Sequence, residues 1–310
     1  MGTMRVLLVH NPTAGEEQPD GSALVRAFEA AGHRVIYRSS KDDDWTHGLG
    51  TSLDLVVIAG GDGTVRKVTT HLAERGDAVP PFSVLPLGTA NNIARTLGIE
   101  GTPADLARRL AQGEPSHFSV GVARAAWGRA HFVEAAGVGV FPEVLRERLE
   151  ERPDEEVERR MESGLQTLKR ILENASPRVF HVEADGVDLS DEYFLVEAMN
   201  IASIGACVDL APGADYTGDA LELVLIGAAE RPLLLVYLDS ALEGKPAPIP
   251  LQARRAHRIR VGWPPELGHL DDELWPESRS GSATEVTLEI GAVLPLLLPQ
   301  AKEISPGENP

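Results

Sequence analysis

The chain has 310 residues and a formal net charge of −18, with 47 Asp and Glu against 29 Lys and Arg. That balance excludes a nucleic-acid binder, which needs a basic face, and disfavours tight electrostatic docking on anionic lipid. A hydrophobic content of 43% supports a packed core in one large domain or two smaller ones. The single cysteine, Cys207, excludes an intramolecular disulfide, suits a reducing cytoplasm and reads as a small buried hydrophobe in a strand.

No apolar run is long enough to span a bilayer, and Met1 to Arg5 leads straight into a strand pattern, not a signal peptide. From 5 to about 122 strands and helices alternate: strand Arg5–Val9, helix Ser22–Ala31, strand His33–Arg38, strand 55–59, helix 65–75, strand 82–85, helix 90–97. A further helix covers Thr102–Gly113, with Thr102 as N-cap and Pro103 at its first position. Such repetition predicts a parallel sheet covered on both faces.

After 122 the pattern changes to short strands: His117–Ala126, Arg129–Ala136, Arg178–Asp185, Tyr193–Ile201, Leu221–Ile226, His257–Val261 and Thr284–Ile290. Gly, Pro and Asp turns between several of them predict an antiparallel sandwich. A helical insertion at 142–175 interrupts it, and its stretch Arg146–Arg160, dense in Glu and Arg, reads as a solvated helix. Arg231–Glu243 is another helix, Val293–Leu298 an apolar last strand, and the polar tail from Lys302 reads as disordered.

The strongest chemical signal is Gly60-Gly61-Asp62-Gly63-Thr64, directly after the apolar strand Leu55 to Ala59 and before a helix. Glycines let a ligand approach the backbone, and a helix N-terminus offers unpaired N–H groups to an anion. A carboxylate in such a loop makes sense if Mg²⁺ lies between it and a phosphate. The structural alternative is a tight turn that needs glycine only for positive φ. The loop has company, however. His10-Asn11-Pro12-Thr13-Ala14-Gly15 ends the first strand and Pro86-Leu87-Gly88-Thr89-Ala90-Asn91-Asn92 ends another. In open α/β sheets ligands sit at the carboxyl ends of the strands, so the set reads as a site for Mg-nucleotide.

These three segments resemble the diacylglycerol kinase catalytic-domain family, particularly its bacterial soluble lipid kinases. The family pattern runs Asn-Pro-x-x-Gly, Gly-Gly-Asp-Gly-Thr, then Pro-x-Gly-Thr-x-Asn-Asp. The likeness continues in Ala136-Gly137-Val138-Gly139-Val140, in Met199 to Pro212 ending Leu210-Ala211-Pro212, and in His269-Leu270-Asp271-Asp272-Glu273-Leu274, which is similar to the family's Asp-Gly-Glu segment. The glycine loop alone is shared with NAD kinases and phosphofructokinases; the ordered set is more specific.

The resemblance implies an α/β N-terminal domain with a parallel sheet, residues 1–122 with about 293–301 returning to it. It implies a C-terminal antiparallel β-sandwich domain over 123–292. It implies a cytoplasmic, ATP- and Mg²⁺-dependent kinase of a lipid hydroxyl, in transient contact with a membrane; homodimer formation is left open. Asn11, Thr13, Gly60, Gly61, Gly63, Thr64, Gly88, Thr89 and Asn91 would bind the nucleotide, and Asp62 would act through its metal. Asp271 or Glu273 would supply the base, from the second domain and across a cleft; the choice falls on Asp271.

Four departures stand out: Glu16 and Glu17 where basic residues are usual, Asn92 for Asp, Asp272 for Gly, and Gly218-Asp219 where the family has Asp-Gly at a structural Mg²⁺. No Mg²⁺ is expected at that structural position; a rebuilt site would fall to Asp219 or Asp215. A kinase of a soluble alcohol and an inactive nucleotide-binding regulator are the alternative readings.

Overall fold

The computed structural model describes residues 3–14, 19–50, 52–76, 79–150, 157–246, 248, 251–264, 268–275 and 284–302. The expectations for Gly15 to Glu17, for 151–156 and for the tail beyond Lys302 lie outside them. The chain divides into two compact units: 1–68, 77–118 and 294–310 form the first, 69–76 and 119–293 the second.

In the first unit the elements are β1 (Arg5–His10), α1 (Gly21–Ala30), β2 (Arg34–Ser39), a 3₁₀ turn (Trp45–Gly50), β3 (Leu55–Gly60), the start of α2 (Asp62–Arg75), β4 (Phe82–Pro86), α3 (Asn92–Thr96) and α4 (Pro103–Leu110). Strands pair in parallel in the order β2-β1-β3-β4. Val6 to Val9 and Leu55 to Ala59 are wholly buried, as strands covered on both faces must be. Asp20 caps α1 by accepting the Ala23 N–H, and Thr102 caps α4 by accepting that of Asp105, with Pro103 following. Leu296 pairs in parallel with Phe82, so the end of the last strand joins this sheet.

The second unit begins with the rest of α2 and continues through β5 (Glu114–Ala125), β6 (Gly128–Phe132), β7 (Ala135–Gly139), α5 (Phe141–Glu150) and α6 (Val157–Asn174). Then come β8 (Arg178–Phe180), β9 (Val182–Ala184), β10 (Val187–Asp188), β11 (Asp191–Tyr193), β12 (Leu195–Met199), β13 (Ser203–Ile204), β14 (Val208–Asp209) and β15 (Leu221–Ile226). α7 (Arg231–Leu242), β16 (Arg254–Ala256), β17 (Ile259–Trp263), β18 (Gly268–Leu270), β19 (Glu273–Leu274) and β20 (Thr284–Leu298) complete it.

A six-stranded antiparallel sheet runs β16-β15-β12-β7-β18-β19. One face packs Ala136, Val138, Val196, Ala198 and Leu270 against Val182, Ile259, Val261 and Val286 of the β9-β17-β20 sheet, which makes the sandwich. The other face carries Leu195 and Met199 into a cluster with Val144 of α5, Leu168 and Leu172 of α6 and Leu234 and Leu238 of α7. The period of two along β12 explains the split.

Several expectations shift. The strand expected over Arg129–Ala136 is two strands, because the chain bends at Val133 and Glu134. Thr284–Ile290 and Val293–Leu298 are one strand, β20. The helix expected from 65 starts at Asp62, within the glycine motif. The described part of 146–160 is not wholly a solvated helix: Arg146 and Arg148 are half-buried in α5. Cys207 is half-buried in the turn between β13 and β14 at φ 59°, not in a strand.

Candidate functional site

In the order β2-β1-β3-β4 the chain moves to one side of β1 and then to the other. The carboxyl ends of β1 and β3 therefore flank the switch point where such sheets leave a crevice. The loops there are joined. The Asn11 N–H donates to the Ala59 carbonyl (2.9 Å), and Asn11 Nδ2 donates to the Thr64 hydroxyl (3.2 Å). Asn11 Oδ1 accepts the Thr13 N–H and hydroxyl (3.2 and 2.9 Å). The Gly61 carbonyl accepts the N–H groups of Thr64 and Val65, so Asp62, Gly63 and Thr64 form the first turn of α2.

The third loop touches the second through bare backbone. A Cβ on Gly88 would lie 2.3 Å from Gly61 Cα, and one on Gly60 would lie 2.5 Å from the Thr64 hydroxyl oxygen. The Leu87 N–H donates to the Gly60 carbonyl (3.0 Å). Asn91, at φ 51°, closes its amide onto both backbone groups of Gly88 (2.9 and 2.8 Å). Thr89 is half-buried in the same turn. These glycines thus have a tertiary reason in addition to any ligand: two loops meet main chain to main chain.

Asp62 has a further task that the motif did not announce. Its carboxylate accepts the N–H groups of Asn92 and Ile93 (3.0 Å each), capping α3 from another loop. A carboxylate has about four acceptor sites, so these two bonds alone do not exhaust it.

Positive charge comes from α2 itself. Lys67 lies over the Trp45 ring, 5.7 Å from its centroid, and donates to the Ser40 carbonyl at the end of β2. His10 is buried, with Nδ1 on the Tyr37 hydroxyl (3.0 Å), and Nε2 has no hydrogen-bond partner among the described residues. Burial pushes its pKa down, partly opposed by the Asp20 carboxylate.

In the second unit Asp271 and Asp272 form the two-residue turn of the β18–β19 hairpin, in which Leu270 faces Glu273. Asp271 is at φ 52°, the left-handed value such turns need. Asp272 is not among the positive-φ residues, so the family's glycine is not required there. Asp271 is buried. Its Oδ1 accepts the N–H groups of Val133, Glu134 and Ala135 (3.1, 2.7 and 3.1 Å), and its Oδ2 lies 3.0 Å from the Val133 nitrogen. Its own N–H donates to the Ala135 carbonyl (2.8 Å). A carboxylate committed to three main-chain donors is a poor proton acceptor. That weighs against the choice of Asp271 as base: it pins the hairpin to the 133–135 bend, and exposed Glu273 follows two residues later.

Residues 5–123 match the model of the diacylglycerol kinase catalytic domain. This is a kinase domain, that of a phosphotransferase with an alcohol acceptor. The chain is 25% identical to the diacylglycerol kinase of Bacillus subtilis strain 168 over 255 residues, 78% of this chain and 80% of that one. It is 33% identical to the Staphylococcus epidermidis enzyme (strain ATCC 12228) over 111 residues, 33% of each. A diacylglycerol kinase structure from Bacillus anthracis str. Sterne superposes with a TM-score of 0.66 at 21% identity, covering 95% of this chain and 98% of that one. Yeast NADH kinase in complex with NADH superposes at 0.54 with 12% identity, over 96% and 84%. Both structures speak for the fold alone.

Within this diacylglycerol kinase-like frame Asp219, to which a rebuilt metal site would fall, is engaged with basic side chains. Its side chain is 77% exposed and pairs with Arg255 (3.0 Å), with His257 3.6 Å away. Asp215 accepts the N–H and hydroxyl of Thr217 (2.9 and 2.6 Å). Among the described residues no group of three or more His, Cys, Asp or Glu is arranged to hold a metal. Lys67 and His10 were passed over in the sequence. Lys67 had a signal, since Arg66-Lys67 follows the glycine motif; His10 had none, because it is buried by its place between β2 and β3.

Proposed function

We propose that this chain transfers the γ-phosphoryl group of ATP to a hydroxyl of a lipid, with Mg²⁺, in the cytoplasm. The observation that carries the reading is the union of three strand-end loops at the switch point through the Asn11–Thr64 bond and the Gly61–Gly88 contact. The residues fit a Mg-nucleotide: glycine backbone open to close approach, the N-terminus of α2, Lys67 beside it and a carboxylate in the loop. Asn11, Thr13, Gly60, Gly61, Gly63, Thr64, Gly88, Thr89 and Asn91 would hold the nucleotide, and Asp62 would face its metal. Bound Mg-ATP supplies the electrophilic phosphorus and neutralises its charge.

What the chain adds is positioning. Lys67 offsets phosphate charge where Glu16 and Glu17 cannot. Glu273 orients the acceptor hydroxyl and takes its proton late in the transfer. Asp271 anchors the turn that presents Glu273. No described helix is long and apolar enough to cross a membrane, and contact with lipid is transient and mainly apolar. Radiolabelled ATP offered with diacylglycerol, a sphingoid base, monoacylglycerol, glycerol and NAD tests the reading. Label in a lipid supports it. Label in glycerol alone favours a soluble alcohol, and no label in any acceptor favours an inactive nucleotide-binding regulator.

A further inference from the structure

Glu197, Gly137 and His269 occupy one row across β12, β7 and β18: Gly137 is the register partner of both others. Neighbouring strands lie roughly 4.8 Å apart, so a glutamate two strands from a histidine reaches it only if nothing stands between. Gly137 provides that gap, and a Cβ there would lie 2.3 Å from Glu197 Oε2. Glu197 Oε1 and His269 Nε2 meet at 2.9 Å with both side chains fully buried. His269 Nδ1 lies 2.9 Å from the Asp271 carbonyl, and the Phe141 ring stands against the imidazole at 5.9 Å.

The proton count follows from the acceptors. A carbonyl oxygen only accepts, so Nδ1 carries a proton. The Nε2–Oε1 contact then needs one more, on either atom. The pair as a whole therefore holds one proton beyond neutral imidazole and carboxylate. Burial alone would push the His269 pKa down, but Glu197 and the Asp271 backbone and charge outweigh it and raise it. Burial raises that of Glu197, with His269 opposing. Glu197 Oε2 has no hydrogen-bond partner among the described residues, and an ionised carboxylate so placed is costly, which helps keep the proton bound. The elements that neighbour this row carry Glu134 in the bend, Glu143 and Arg146 on α5, Glu222 on β15 and Glu273 on β19; the charges that act on His269 are those of Glu197 and Asp271.

We propose that Glu197 and His269 form a one-proton dyad that positions the Asp271 turn, and through it Glu273, for phosphoryl transfer. They are positioning residues, and the proposal rests on the kinase reading above. When the proton leaves at high pH, neutral His269 has one N–H for two acceptors. It either releases the Asp271 carbonyl or turns a lone pair toward Glu197. The Asp271 turn, with its left-handed residue, then loses a constraint.

Two measurements on the full chain test this. In the first, NMR follows His269 and the amides of Val133, Glu134 and Ala135 against pH. The expected result is that His269 titrates above the ordinary value of about 6.5 and the amides move with the same midpoint. In Glu197→Gln, whose amide can donate to Nε2 of a neutral imidazole, both movements vanish. Amides indifferent to His269 overturn the dyad whatever the activity. In the second, kcat is measured against pH with ATP and the preferred acceptor. An alkaline fall with the His269 midpoint, absent in Glu197→Gln, is expected. Gly137→Ala should lower kcat at least tenfold with KM for ATP changed less than twofold. The same alkaline fall in Glu197→Gln, or a loss expressed in KM for ATP, overturns the positioning role. No turnover on any acceptor, with amides that do follow His269, overturns the kinase reading and supports the dyad.

Discussion

Replacing Asp271 by Asn separates anchoring from proton transfer. Asn keeps Oδ1 and tolerates the left-handed backbone as Asp does, so the φ of 52° adds no cost. It exchanges charge-assisted hydrogen bonds, at about 1.5–3 kcal/mol, for neutral ones at about 0.5–1.5. Three N–H groups converge on the carboxylate, so the loss comes to about 3 kcal/mol. Asn also brings an amide donor toward the Val133 N–H, where Oδ2 now sits at 3.0 Å. Against a total stability of roughly 5–15 kcal/mol that is a large change. Ala would strand three buried N–H groups at about 1–3 kcal/mol each, near the whole stability, so Asn is the working variant.

Urea unfolding followed by tryptophan fluorescence reads the effect. Trp263 donates to the Trp275 carbonyl (2.9 Å), and Trp275 lies 5.6 Å from the Trp127 ring, so these indoles report on the hairpin. The midpoint of Asp271→Asn should fall clearly. Glu273→Gln, at an exposed position, should leave the midpoint within about 0.5 kcal/mol and lower kcat roughly a hundredfold. An Asp271→Asn protein of unchanged midpoint, with kcat lower than that of Glu273→Gln, would refute the reasoning and return the base to Asp271.

Asp62→Ala should abolish turnover and also destabilise by about 1–2 kcal/mol, since the cap on Asn92 and Ile93 goes with it; a variant unchanged in both urea midpoint and turnover contradicts both roles. Lys67→Gln should raise KM for ATP roughly tenfold, the scale of one charged hydrogen bond, with kcat nearly intact; an unchanged KM removes Lys67 from the site. Imidazole titrations should place His10 and His131 below the ordinary histidine range, because burial opposes their charging, and His269 above it. The signs for stability are opposite. The neutral form of His10 and His131 contributes above about 6.5 and is lost as pH falls, while His269 contributes below that value and is lost as pH rises through its folded pKa. Observing the reverse order by NMR would show that burial has been misjudged. Co-sedimentation with vesicles should be weak and should not strengthen with anionic lipid, given the charge of −18; tight, salt-sensitive binding would reveal a basic patch.

Much of the fold was legible in local pattern. The apolar runs Val6–Val9 and Leu55–Ala59 read as strands buried on both faces, and Thr102-Pro103 marked the start of a helix, because periodicity and capping act over a few residues. The ordered loop motifs carried the resemblance to the family for the same reason: a strand end followed by glycines is a local constraint. What the sequence could not determine were the tasks of individual polar groups. Asp62 caps a helix thirty positions away, Asp271 saturates a bend at 133–135, and Glu197 reaches His269 over the bare Gly137. Each depends on which strands become neighbours and in what register. A carboxylate in a motif looks the same whether it will face a metal, a proton or three N–H groups; only the tertiary structure brings the partner that decides.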